Sequence, residues 1–210
     1  MKQNQKNRQQ PLGESKSGAR QENQPASGEP SLLEKFFINQ LKDIYYCEKK
    51  IIDALPKMAA AATTEELQDA FEHHLEQTKK QVKRLEKVFM LIKKEPESEK
   101  CEAIEGIIRE VEQIIQETKE GTMTRDAALI IAAQKVEHYE IATYGGLVQL
   151  ALTMQLDHCA HLLDKTLAEE EDTDTSLTDI AEEFVNVSAE QEKPYSWEAH
   201  SLKMYSSTPS

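Results

Sequence analysis

The sequence predicts an all-α protein: a four-helix bundle made of two antiparallel hairpins joined by a helical crossover, with a short C-terminal helix. Three observations lead to that reading. Glycine and proline number only 7 each in 210 residues, whereas Glu, Lys, Gln, Ala and Leu abound, and aromatics make up 6%. Apolar residues recur every three or four positions over long stretches, the period of a helix with one buried face. Within each hairpin the connection is a few residues long, which forces antiparallel packing, while a long segment with its own helical period links the hairpins.

Residues 1–30 are Gln, Asn, Lys, Ser, Gly and Pro with almost no large apolar side chains, and are expected to be a disordered polar extension. The folded domain is expected over 31–190. Ser31 and Glu34 form a capping box that opens a first helix, with Leu33, Phe37, Leu41, Ile44, Ile51, Leu55 and Met58 on its face, ending near Ala62. Thr63 and Glu66 form a second capping box. The helix behind it carries Leu67, Phe71, Leu75, Thr78, Val82, Leu85 and Phe89 and is stopped by Glu95-Pro96.

Residues 98–118 repeat the period with a narrower stripe, Cys101, Ile104, Ile108, Val111 and Ile115, closed by Gly121; this is the crossover. Thr124 caps a long helix with Ile130, Gln134, Glu137, Ile141, Tyr144, Val148 and Leu152 along one face. The next helix runs from Leu156 to Glu171, and Thr175 or Ser176 starts a further short one with Leu177, Ile180, Ala181 and Phe184. Residues 191–210 show no sustained period and are expected to be a flexible tail.

The net charge of −13 argues against phosphate-mediated nucleic-acid binding and against anionic membranes. No apolar run reaches the roughly 18 residues of a membrane helix, and no hydrophobic stretch follows the charged N-terminus, so the expected location is the cytoplasm. Cys47, Cys101 and Cys159 form no CxxC pair and leave one thiol over in any disulfide scheme, which fits a reducing compartment.

Against this bland background, Glu48, Glu137, Glu170 and Asp174 fall where the helical period points inward. Buried carboxylates lose solvation worth several kcal/mol each and repel one another. Either a cation sits among them, or several carry protons at neutral pH. Glu48 lies as far before the first turn as His74 to Thr78 lie beyond it, and Glu137 is placed likewise relative to Glu170 and Asp174. Both hairpins therefore bring polar groups to mid-height. Glu137 and Glu140 lie three apart, Glu170 and Asp174 four apart, so each pair shares a helix face. Hard oxygen donors at this density suit iron, manganese, magnesium or calcium, with His74 as the one nitrogen. Glu140 is equally readable as a solvated helix edge, and Asp174 as the cap of the short helix behind it. His158 and His161, at i and i+3 around Cys159, form a rival cluster that nothing acidic completes. Tyr45, Tyr139 and Tyr144 flank the inward acids and are candidate hydrogen-bond donors to them.

The strings LKDIYYCEKKIIDALPKMA, HLEQTKKQVKRLEKVF, AQKVEHYEIATYGGLVQLA and LLDKTLAEEEDTDTSLTDIA resemble the core helices of the YciE/YciF family, a bacterial branch of the ferritin-like superfamily, over about residues 32–187. The resemblance implies a four-helix bundle with a carboxylate-rich centre, a homodimer and a stress-associated role. By position it marks Glu48, His74, Glu137, Glu140, Glu170 and Asp174 as the polar centre. The expectation is one or two transition-metal ions, iron or manganese. Any turnover would be oxidation of bound Fe(II), with Glu137 bridging and Glu48 and Glu170 terminal. One departure stands out: the Glu-x-x-His pairs of di-iron bundles are absent from the sequence, and Gln77 and Gln81 stand beside His74 where further ligands would sit. A non-catalytic bundle that has lost its metal is the alternative.

Overall fold

The computed structural model describes residues 29–193; all but the last two residues of the expected disordered extension and most of the expected flexible tail lie outside them. Helix α1 spans Leu32–Ala61, α2 Glu65–Leu91, α3 Glu102–Glu117, α4 Met123–Thr153, α5 Asp157–Ile180 and α6 Asn186–Glu190, with a π-helical turn at Ala181–Val185 between the last two. Helices α1 and α2 form one hairpin, α4 and α5 the other; α2 packs on α5 and α1 on α4, which closes the four-helix bundle. The crossover α3 lies outside it, against α4 and α1.

Side-chain pairs give the register. Lys50 with Glu105 and Lys57 with Glu112 show α3 running parallel to α1, and Gln81 with Glu170 and Arg84 with Thr166 show α2 and α5 antiparallel. The core follows the sequence stripes: Phe37, Leu41, Ile44 and Leu55 of α1 meet Leu67, Phe71, Leu85 and Phe89 of α2 and Ile130, Tyr144, Val148 and Leu163 of the second hairpin. Pro56 lies inside α1 but is exposed, so the backbone bond it cannot make faces solvent.

Element boundaries differ from the sequence reading in several places: α3 starts at Glu102 rather than at 98, and four further differences each have a local reason. Helix α2 ends at Leu91, ahead of Glu95-Pro96, because Lys93 takes a left-handed φ of 57° and the amides of Lys93 and Lys94 bond back to Met90 and Phe89. The Thr63 and Glu66 capping box does not form. Thr64 is the N-cap without a side-chain bond, since its hydroxyl donates to Asp126 at 2.8 Å. Thr122, not Thr124, caps α4 by accepting from the Arg125 amide, while Thr124 donates to Glu192 at 2.6 Å.

The fourth difference bears on the site. No break occurs at residues 172–175: α5 continues to Ile180, so Asp174 sits within a helix and caps nothing, and the short C-terminal helix is α6 instead. The hydroxyls of Thr173, Thr175 and Ser176 bond to carbonyls one turn back, which lets these residues stay helical. Leu152, placed on the inward face of α4, is 48% exposed; α4 is covered by α1, α5 and α3, so its buried surface includes Leu129, Val136 and Leu147 as well.

A candidate metal centre between the helices

Each helix of the bundle sends polar side chains to one level: Glu48 from α1, His74 from α2, Glu137 and Glu140 from α4, Glu170 from α5. All five are at most 2% exposed. His74 Nε2 lies 3.4 Å from Glu137 Oε1, and its Nδ1 lies 3.9 Å from Glu170 Oε2. One ligand atom from each of His74, Glu137, Glu140 and Glu170 falls within 4.8 Å of the others. Glu48 borders this group, since its charge raises Glu137 and Glu140 and the Glu170 charge raises it, and it accepts a hydrogen bond from Tyr144 Oη. Asp174, one turn beyond Glu170, stands at the rim with its side chain 22% exposed and Oδ1 3.4 Å from exposed His138 Nε2.

Sequence period explains the convergence. His74 shares the stripe of Leu67, Phe71, Thr78, Gln81 and Leu85, all buried on α2. Glu48 sits between Ile44 and Ile51, and Glu137 between Ile130 and Tyr144, each replacing an apolar residue in a core stripe.

The electrostatics are those of acids deprived of water. Burial pushes Glu48, Glu137 and Glu140 well above the usual carboxylate range, and the neighbouring Glu170 charge raises each further. Glu170 is raised to about 7, again first by burial, with Glu137, Arg84 and Gln81 pulling it down. His74 is lowered to about 4 by burial. Tyr144 is raised by burial and by Glu48.

Among the described residues no cation neutralises the cluster directly. Arg84, whose charge lowers Glu48 and Glu170, directs its guanidinium to Glu169 through two bonds of 2.9 Å and to Thr166. Gln81 donates to Glu170, so the position beside His74 that lacks a carboxylate holds a donor to one.

What remains is a set of orphaned atoms: both nitrogens of His74, both oxygens of Glu140, and one oxygen each of Glu48, Glu137, Glu170, Asp174, Gln77 and Gln81. These are all the buried side-chain nitrogen and oxygen atoms without a hydrogen-bond partner among the described residues. Buried polar groups are ordinarily satisfied, each orphan costing about 1–3 kcal/mol. One imidazole and several carboxyls with free lone pairs, aimed at one point, fit a hard or borderline divalent cation. A cavity of about 290 Å³ reaches His74, Gln77 and Glu137, and Glu66, Asp69 and Asp172 also line it, giving an acidic approach.

Other sequence candidates disperse. His158 and His161 are exposed while Cys159 is buried, so the rival cluster does not converge. Of the flanking tyrosines only Tyr144 serves the site; Tyr45 donates to Glu86 at 3.1 Å and Tyr139 to Asp43 at 2.6 Å. Arg84 was not legible as a neighbour, because an Arg at a buried helical position reads from sequence as solvated.

Residues 32–190 match the model of a domain of unknown function, DUF892. The chain is similar to protein YciF of Escherichia coli K12, 46% identical over 164 residues that cover 75% of this chain and 95% of YciF. The crystal structure of the E. coli stress protein YciF superposes with a TM-score of 0.71 at 45% identity, covering 75% of this chain and 99% of that one. YcfI of Rhodopseudomonas palustris superposes with a TM-score of 0.69 at 38% identity, covering 73% and 97%. A Xanthomonas campestris protein at 21% identity and TM-score 0.58 shares the fold.

Proposed function

The chain belongs to the DUF892 family together with YciF, and on that premise we propose that it is a stress-associated protein that binds one or two transition-metal ions, iron or manganese, at the centre of its bundle. The observation that carries this reading is the convergence of His74, Glu137, Glu140 and Glu170, each with an orphaned buried atom and each offering a ligand atom within 4.8 Å of the others. His74, Glu137, Glu140 and Glu170 would hold the metal, with Glu48 beside them and Asp174 at the rim. When bound, an iron ion would supply one-electron chemistry, and any turnover would be slow oxidation of Fe(II) with dioxygen or peroxide as the electron acceptor.

The chain's own residues have definite tasks in this reading. Tyr144 Oη donates to one Glu48 oxygen and leaves the other free, which fixes the carboxyl's orientation. Gln81 does the same for Glu170. Raised carboxyls must release protons as a cation enters, so affinity rises with pH through about 7, where Glu170 titrates. Glu66, Asp69 and Asp172 draw cations toward the cavity. Homodimer formation and a cytoplasmic location belong to the same proposal.

Elemental analysis of chelator-free protein, repeated after anaerobic Fe(II) loading, tests it. Iron or manganese at one or two per chain is expected; no bound metal under either condition overturns the reading.

A second reading has its own support. Gln81 meets Glu170 with an N–H, and the missing Glu-x-x-His pairs remove ligands that di-iron bundles use, so protons rather than a metal would hold the acids together in a non-catalytic structural bundle. It predicts that Glu48→Gln with Glu170→Gln raises the melting temperature with and without chelator. A fall confined to metal-containing buffer contradicts it.

A further inference from the structure

On the α3 side of the bundle a second group of side chains converges that the carboxylate centre does not use. Asp43 and Cys47 lie one turn apart on α1, Cys101 is the N-cap of α3, and Tyr139 comes from α4. Tyr139 Oη is the hub: it lies 2.6 Å from Asp43 Oδ2, 3.1 Å from Cys101 Sγ and 3.8 Å from Cys47 Sγ. Cys47 Sγ is 4.0 Å from Asp43 Oδ2, and the Asp43, Cys47 and Cys101 donor atoms all lie within 4.8 Å of one another.

We infer that Asp43, Cys47 and Cys101, with Tyr139 as fourth ligand or as hydrogen-bond donor to Asp43, form a second metal site, selective for a borderline-soft tetrahedral ion, zinc. Two sulfurs and a carboxylate are a donor set for zinc rather than for the hard ions suited to the main centre. Bonds of about 2.3 Å to sulfur and about 2.0 Å to oxygen in a tetrahedron require a sulfur-to-oxygen edge of about 3.5 Å. The 4.0 Å between Cys47 and Asp43 is within a side-chain adjustment of that edge. Both cysteines are buried, Cys47 at 0% and Cys101 at 3% exposure, yet Asp43 and Tyr139 are half-buried and Tyr139 lines a groove of about 320 Å³ with Phe36, Gln40 and Thr143. The groove thus reaches the hydroxyl-bearing side chain at the hub of the group. Binding releases one proton from each thiol and ties α1 to α3.

Cobalt titration of the reduced full chain, in a Glu137→Gln/Glu170→Gln background that disables the carboxylate centre, tests the site. The expected result is a sulfur-to-cobalt charge-transfer band in the near ultraviolet, abolished by zinc and by Cys47→Ser or Cys101→Ser, unchanged by Cys159→Ser, with Tyr139→Phe weakening affinity about tenfold. Because serine variants of buried thiols can misfold, alkylation of the unmutated chain is the second measurement. Zinc should slow modification of Cys47 and Cys101 and leave Cys159 unaffected. Absence of the thiolate band together with absence of protection overturns the proposal, as does recovery of Cys47 and Cys101 as a disulfide that excludes zinc. Both readouts report sulfur, so neither outcome bears on the carboxylate centre.

Discussion

Asp126 and Glu140 lie on the same helix and are equally buried, 0% and 1% exposed, yet the fold treats them in opposite ways. Asp126 sits at the α1–α2 turn, where its carboxylate accepts from the Thr63 amide at 2.7 Å, the Thr64 amide at 2.9 Å and the Thr64 hydroxyl at 2.8 Å. Glu140 accepts nothing on either oxygen. The difference teaches that a buried acid by itself says little about function. One that receives three donors is a structural clamp, here closing the first hairpin against α4; a group of acids left without donors is waiting for a cation or holding protons.

The largest effect should come from breaking the satisfied acid. Asp126→Ala strands two amides and a hydroxyl and should cost about 3 kcal/mol or more in denaturant unfolding, with metal stoichiometry unchanged. Next comes filling the unsatisfied one. Manganese at a hundredfold over its dissociation constant should stabilise the protein by about 2.7 kcal/mol, and Glu137→Gln/Glu170→Gln should remove that gain; an equal gain in the variant would show that the metal binds elsewhere.

A smaller effect separates the regions by pH in metal-free protein. Burial raises Glu48, Glu137, Glu140 and Glu170 above their usual 4.5, Glu170 to about 7, so the folded state holds more protons than the unfolded chain. Their stabilising contribution is complete below the unfolded value and is lost as pH rises through the folded one. His74, lowered to about 4 from 6.5, opposes this: its contribution is present above its unfolded value and is lost as pH falls through about 4. Four carboxyls outweigh one imidazole, so melting temperature should fall between about pH 5 and about pH 8, and saturating metal should flatten the slope. The smallest effect sets the floor: Glu112, exposed and paired with Lys57 at 3.0 Å, should cost less than about 1 kcal/mol on replacement by Ala.

Much of this contrast was legible before the fold was seen, but only one half of it. The apolar period that buries Ile44 and Ile51 also buries Glu48 between them, so the inward acids declared themselves as violations of a stripe. Asp126 did not, because it stands in the first turn of α4, where an acid is ordinary and solvated. Its partners Thr63 and Thr64 are distant in sequence, and Thr63 reads as part of a local cap. The reading of Asp174 as a helix cap fails for a related reason, since α5 runs through it. Thr173, Thr175 and Ser176 suggest a break, but their hydroxyls bond back along a continuous α5, a choice that packing rather than propensity settles.

The amino-acid pattern by itself determined the helical class, the order of the elements and the level at which the acids meet, because period and connection length act locally along the chain. Only the tertiary structure decided which buried polar atoms find partners. It gave Asp126 three donors, turned Arg84 toward Glu169, left His74 and Glu140 without a bond, and drew Cys47 and Cys101 together around Tyr139. Hydrogen bonding requires placement to a few tenths of an ångström between residues far apart in sequence, and that precision arises from the packing of whole helices, not from the period of any one of them.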